Sequence, residues 1–391
     1  MMNTIGIAGP LNLHSLQSYI YPLSGMLPDG LGGTVLPSLI IELLKRGQKV
    51  IVFTLDKKIT EPISFQGDLI KICVSPYRPS HRARDFFALE RRSLVNSIQN
   101  EKIDILHAHW TYEFALAALD SGIPVLVTAH DAPLRILQYD KTPYRFVRTL
   151  MALAVIKRTT NMTAVSPYIS RHLKNVFGYA SNIKIIPNGL SQDVFSLYKK
   201  KVYAAPKKII FAAVLNGWGR LKNTRTLLKA FSMVRGKFTG MELWLFGIGH
   251  GPSEQAERWA QKNGITADVR FIGNTEYQTM LRLLLSDVDI LVHPSLEESF
   301  SYTIVEALAL GIPVIAGAKS GAVPSTLGNG QAGRLVDVHS QTKLADAMVQ
   351  LANDPNTREC LSEAGREYAL SHYKIEQVVT QYEKIYHQLN S

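Results

Sequence analysis

The sequence predicts an α/β protein of two Rossmann-like, doubly wound domains facing a central cleft. Three observations lead there. Its 391 residues exceed what one hydrophobic core usually supports. Both halves alternate short β-branched runs with longer helical patterns, as in a parallel sheet covered by helices on both faces. The composition, 46% apolar and 19% charged, is that of a folded globular chain.

In the first half, strands are expected at residues 3–8, 49–54, 103–108, 125–129 and 161–165. A helix over 34–46 is expected to stop at Gly47, where a left-handed cap costs glycine least. Residues 191–208, with Lys199, Lys200, Lys201 and Pro206, lack an apolar period and read as the linker. Strands then follow at 208–213, 242–246, 269–272, 290–293 and 313–316. The expected domains are 1–195 and 206–371, with a C-terminal helix over 372–391 packing back on the first. In such sheets ligands bind beyond the carboxyl ends of the strands, which is where chemistry is sought.

Cys73 and Cys360 lie far apart and form no metal-type cluster, so a reducing compartment is expected, with both thiols packed in cores. No segment has the apolar run of a signal peptide or a membrane span, and a cytoplasmic location is expected. The net charge of +11 is uneven: residues 1–200 carry 23 Lys+Arg against 14 Asp+Glu, and residues 201–391 carry 20 against 18. A basic first half points to an anionic partner such as nucleic acid, membrane lipid or a phosphorylated acceptor.

The most informative stretch, residues 290–311, reads as strand, loop and helix. Pro294 cannot continue a central strand, Ser299 or Ser301 can cap the helix that follows, and Gly311 closes it. The free amides and positive dipole end of that helix suit a diphosphate. Glu298 precedes the helix and Glu306 lies inside it, too far apart to share a proton but placed to grip two hydroxyl-bearing groups. An isolated pair of this kind would read as solvated helix-end residues; its surroundings argue otherwise.

Two glutamates eight residues apart with Phe300 between them, followed by Ala307-Leu308-Ala309-Leu310-Gly311-Ile312-Pro313, closely resemble the signature of the retaining family-four glycosyltransferases of GT-B fold. Gly32-Gly33 looks like that family's first glycine loop, Thr128-Ala129-His130-Asp131 like its histidine strand end, and Ile186-Pro187-Asn188-Gly189-Leu190 like its domain exit. Gly247-Ile248-Gly249 and Ser320-Gly321-Ala322-Val323-Pro324 match two further turns. The resemblance implies that the domain 1–195 binds the acceptor and the domain 206–371 a nucleotide sugar, and that Glu306 binds the nucleotide ribose, Glu298 the hydroxyls of the donor sugar, and Lys222 the phosphates. His130 is implied near the sugar or the reacting centre. A donor site is thereby expected at Gly33, Arg220, Lys222, Gly247, Asn274, Glu298, Ser299, Phe300, Ser301, Tyr302, Thr303 and Glu306, with His130, Lys222 and Glu298 catalytic.

Two departures stand out. Where the family usually has an arginine five residues before the lysine, this chain has Gly217, and the nearest arginine is Arg220. Either Arg220 reaches the diphosphate through a changed loop or Lys222 acts alone. Ser299 and Ser301 also stand where glycines are common. Asp287-Val288-Asp289 has the spacing of a cation-binding motif but sits between a helix and an apolar strand, so no metal and no cofactor are expected.

Residues 133–192 carry nine Lys or Arg and one acid, interleaved early with Tyr139, Tyr144, Phe146 and Leu150; a second basic aromatic patch runs from Arg78 to Arg92. Such a surface suits an anionic membrane and a lipid-linked acceptor, on the inner face of the cell membrane. No nucleic-acid motif accompanies the charge. The expected activity is hexosyl transfer in surface polysaccharide or glycolipid synthesis. The rivals are a nucleotide-sugar epimerase, a glycan phosphorylase of similar fold, and a non-catalytic sugar-nucleotide or membrane-binding protein.

Overall fold

The computed structural model describes residues 4–21, 26–201, 208–235 and 240–390. Asn3 of the first expected strand and Pro206 of the expected linker lie outside the described residues. The chain divides into two units, residues 1–189 with 375–391, and residues 190–374.

The first unit is built on an eight-stranded sheet: β1 (Thr4–Ala8), β2 (Lys49–Asp56), β3 (Ile63–Gln66), β4 (Ile70–Pro76), β5 (Ile105–His109), β6 (Val125–Ala129), β7 (Met162–Ala164) and β8 (Ile183–Ile185). Their order is β3-β4-β2-β1-β5-β6-β7-β8, all parallel except for the β3–β4 pair. β2 is buried from Val50 onward, as the continuous apolar run of a central parallel strand requires. The direction of winding reverses between β1 and β5, which opens a crevice at their carboxyl ends.

The helix Val35–Lys45 buries Leu36, Leu39, Ile40, Leu43 and Leu44 and gives way to Gly47 at φ +77°. Against it lies the C-terminal helix Ile375–Asn390, whose Val378, Val379, Tyr382, Ile385 and Tyr386 enter the core of this unit. Arg46 secures the pair: its Nη1 donates to Glu383 at 2.7 Å and its Nη2 to the Glu376 carbonyl at 2.7 Å.

The second unit carries six parallel strands: β9 (Ile209–Val214), β10 (Met241–Phe246), β11 (Val269–Gly273), β12 (Ile290–His293), β13 (Val314–Gly317) and β14 (Arg334–Val336). In the order β11-β10-β9-β12-β13-β14, winding reverses between β9 and β12.

Three expectations are corrected. The stretch after residue 190 is not all linker: the helix Gln192–Ser196 buries Val194 and Phe195 in the second core, so the first unit ends at Gly189 rather than 195. An apolar pair one residue apart in a polar context carries no helical period, which is why the sequence hid it. The returning segment begins at Ile375 rather than 372. Cys73 is buried, with its thiol pushed up to about 12 by burial, whereas Cys360 is exposed. No helix among the described residues is long and apolar enough to cross a membrane.

Candidate functional site

In the second unit, the loops after β9 and β12 meet at the reversal of winding. The chain leaving β9 forms a short 3-10 turn, Arg220–Lys222, followed by Asn223 at φ +54°, a conformation asparagine tolerates better than most residues. The Asn223 amide donates to the Pro294 carbonyl at 3.1 Å and to the Val338 carbonyl at 2.8 Å, while the Leu296 amide donates to the Leu221 carbonyl at 2.8 Å. These bonds clasp the two loops and bring together residues 76 apart in sequence: Lys222 Nζ donates to Glu298 Oε1 at 2.8 Å.

Glu298 is further held from below and from the side. His293, the last residue of β12, has Nε2 3.3 Å from the same Glu298 oxygen and 3.5 Å from Ser301 Oγ. The Ala322 amide donates to the Glu298 carbonyl at 2.7 Å, and a Cβ on Gly321 would lie 2.3 Å from that carbonyl. With φ +60°, Gly321 is where the Ser-Gly-x-x-Pro turn needs glycine. Burial pushes the Glu298 carboxyl up, but the Lys222 charge and the His293 hydrogen bond outweigh it and hold it down at about 2.

Ser301 caps the helix Tyr302–Ala309 by accepting from the Ile304 amide, one of the two serines that could have done so. One turn into this helix Glu306 is buried, and Tyr277 OH donates to its Oε1 at 2.8 Å. Burial raises this carboxyl to about 7, with the tyrosine bond a partial offset. The two glutamates are thus opposites, one a locked anion and the other poised to titrate near neutrality.

The remaining donor-site candidates distribute unevenly. Phe300 sets its ring edge-on to Tyr302 at 5.4 Å and Tyr373 at 5.7 Å, a packing role for its side chain. Ser299 and Thr303 are half-buried at the helix start. Gly247 has φ +101°, and a Cβ there would lie 2.2 Å from the Leu215 carbonyl, so the backbone at the end of β10 is closed to other residues. Arg220 is exposed, and the ion pair to Glu298 comes from Lys222. Gly217, where the resemblance led to an arginine, sits at φ +91°, a conformation that strains side chains. Asn274 is exposed in the turn after β11. Asp289 of the Asp-x-Asp spacing accepts from the Ile210 amide at 2.9 Å, a bond within the sheet.

Gly33 and His130 belong to the first unit. A Cβ on Gly33 would lie 2.1 Å from the Pro10 carbonyl, so the loop seals tightly onto the end of β1. His130, just after β6, is buried; its Nε2 is 2.9 Å from His109 Nδ1, and its ring stacks on Trp110 at 4.2 Å. Burial lowers it to about 3, so it acts as a neutral imidazole at physiological pH. His107 behind it is core: Nδ1 pairs with Tyr386 OH at 2.7 Å and Nε2 with Thr128 Oγ1 at 2.6 Å.

Sequence reasoning missed His293 and Tyr277, which bracket the two glutamates, and left His109 without a role. His293 had a signal, a polar residue ending an apolar strand, whereas Tyr277 had none, because its partner lies 29 residues away.

Known proteins match along most of the chain. The sequence-family model described as Glycosyltransferase Family 4 matches residues 32–194, and that described as Glycosyl transferases group 1 matches residues 197–368. The chain is 26% identical over 300 residues to N-acetyl-alpha-D-glucosaminyl L-malate synthase of Bacillus anthracis, covering 74% of this chain and 76% of that one. It is 27% identical over 387 residues to phosphatidyl-myo-inositol mannosyltransferase of Mycobacterium leprae, covering 94% and 95%. Among solved structures, sucrose-phosphate synthase from Thermosynechococcus elongatus superposes with a TM-score of 0.79 at 20% identity, over 99% of each chain. The Anabaena protein HepE in complex with UDP and glucose superposes with a TM-score of 0.69 at 15% identity, over 98% and 99%.

Proposed function

Because the chain belongs to the family-four glycosyltransferases of GT-B fold, we propose that it moves a hexosyl group from a nucleotide-diphosphate sugar to a hydroxyl of a glycan or lipid-linked acceptor, with retention of configuration and without a metal. The observation that carries this reading is the Lys222–Glu298–His293 cluster at the reversal of winding, beside the start of the helix Tyr302–Ala309.

In this reading the diphosphate meets the helix N-terminus and the Lys222 ammonium, which stabilises charge gathering on the leaving group. Glu298 accepts from hydroxyls of the sugar, and Glu306 with Tyr277 from those of the ribose. Lys222 and His293 stabilise the Glu298 anion and so weaken it as a nucleophile. This favours a front-face displacement in which the leaving phosphate oxygen takes the acceptor proton. His130, neutral and buried in the first unit, is suited to hydrogen bonding rather than to proton transfer.

The phosphatidylinositol mannosyltransferases among the relatives support a lipid-linked acceptor and a place in glycolipid or surface polysaccharide synthesis. The basic patches of the first unit support a peripheral seat on the inner face of the cell membrane. A thermal-shift screen of UDP- and GDP-sugars, followed by proton NMR of the product, tests the proposal. Donor stabilisation lost in Lys222→Ala and a retained anomer are expected; an inverted linkage overturns retention, and loss of activity in chelator overturns metal independence. Failure to sediment with anionic liposomes at low salt overturns the membrane seat.

A further inference from the structure

Strand alternation puts His107 and His109 on one face of β5, and Thr128 and then His130 on the matching face where β6 ends. The C-terminal helix Ile375–Asn390 covers that face. Its Tyr386 OH pairs with His107 Nδ1 at 2.7 Å, and its Tyr382 ring lies 4.8 Å from the His107 ring. The His109 ring follows at 4.0 Å from His107, and His109 Nδ1 reaches His130 Nε2 at 2.9 Å. On its other side His130 is stacked on Trp110 at 4.2 Å, which keeps the ring from turning over.

The ring nitrogens left over differ in kind. His109 is 1% exposed, and its Nε2 is buried with no hydrogen-bond partner; His130 retains 7% exposure, and its Nδ1 is not sealed. Burial keeps all three imidazoles neutral. Each neutral ring carries one N–H, so a bond between two of them holds a single proton.

That proton has two places to sit. On His130 Nε2 it would oblige His109 to carry its own proton on Nε2, as a buried N–H with no acceptor. On His109 Nδ1 it leaves only a bare lone pair at Nε2. Orphaned buried N–H groups are the rarer of the two in folded proteins, which favours the second arrangement. The tautomer of one imidazole is then set by the hydrogen bond its other nitrogen makes, and the His130 proton falls on Nδ1.

We propose that His109 is a positioning residue: by donating from Nδ1 to His130 Nε2 it fixes His130 as the Nδ1–H tautomer, so that the ring offers a ligand a hydrogen-bond donor and no base. That the ligand is an oxygen of the transferred sugar rests on the transferase reading; the tautomer itself does not.

Long-range proton–nitrogen NMR of the full chain, labelled with 15N at histidine and assigned with His130→Gln, reads the tautomer directly. At neutral pH a protonated Nδ1 and a bare Nε2 are expected for His130. His109→Phe keeps a ring in the stack but removes the donor, and should move His130 out of the pure Nδ1–H form. His109→Asn, whose side-chain amide donates from a similar place, should restore it. Tyr386→Phe loosens the same core by taking a partner from His107, yet should leave the tautomer unchanged. With the UDP- or GDP-sugar that binds best, kcat/KM should fall about tenfold in His109→Phe, the worth of one hydrogen bond, and recover in His109→Asn. A wild-type His130 protonated at Nε2, or a tautomer unmoved in His109→Phe, overturns the proposal; the wild-type spectrum decides alone should that variant fail to fold. A tautomer that moves while kcat/KM does not upholds the lock and removes His130 from the transfer reading.

Discussion

Lys222 Nζ lies 2.8 Å from Glu298 Oε1, and the two side chains are 27% and 14% exposed, so the second unit buries most of an ion pair beside a helix N-terminus. Burying charges is costly unless each answers the other, which makes removal of one partner more damaging than removal of both.

Lys222→Ala is therefore expected to cost about 3 kcal/mol of stability, by stranding Glu298, and to lower kcat by about a hundredfold or more through lost stabilisation of the leaving diphosphate. In the double variant Lys222→Ala/Glu298→Gln most of the stability should return while activity does not. Urea denaturation beside steady-state kinetics separates the two effects; recovery of activity with stability would dissociate the pair from the chemistry.

Glu306 predicts a pH dependence. Its carboxyl, raised by burial from 4.5 to about 7, binds a proton in the folded state that the unfolded chain releases earlier. Stability from the protonated form is fully present below about pH 4.5 and is lost as pH rises through about 7. The shift corresponds to about 3 kcal/mol. Glu306→Gln, which removes the titration, should gain on the wild type by that order between pH 4.5 and pH 8 in denaturant melts.

The buried histidines give the opposite slope. Burial lowers His107 and His109 well below 6.5 and His130 to about 3. A depressed histidine contributes stability that is present above the unfolded value of about 6.5 and lost as pH falls toward the folded one. Each such group contributes about 1.4 kcal/mol per pH unit in that window. Acid unfolding should take up these protons, and kcat/KM should show no limb near pH 6.5 assignable to His130.

Gly321→Ala should misplace Glu298. The added methyl would sit 2.3 Å from the Glu298 carbonyl at a backbone φ of +60°. A cost of about 1–3 kcal/mol is expected, together with weaker donor binding in thermal shift. Gly328→Ala, at φ +55° and against the edge of the Tyr368 ring, is the matched control, with a stability cost and unchanged donor binding.

Most of the strands were legible because parallel strands covered on both faces are written as continuous apolar runs, as Val50–Leu55 and Ile290–Val292 illustrate. β3, β8 and β14 were not, since a short edge strand such as Ile-Ser-Phe-Gln has no buried face to impose a pattern. β4 was missed although largely buried; its interrupting Lys71 and Ser75 break the run.

What the sequence by itself determined is the pair of α/β halves and, through ordered motifs, the glutamate corner and its lysine. Local chemistry suffices for the halves and the corner, because caps, glycine turns and apolar runs act over a few residues; the lysine was implied by the family resemblance. Only the tertiary structure decided which groups meet. The Asn223 clasp joins Lys222 to Glu298, Tyr277 reaches Glu306, and Arg82 and Arg148 converge on Tyr144. The protonation of the two glutamates follows from those meetings, because burial and the nearest partner set a carboxyl's charge, and neither is a property of its neighbours in sequence.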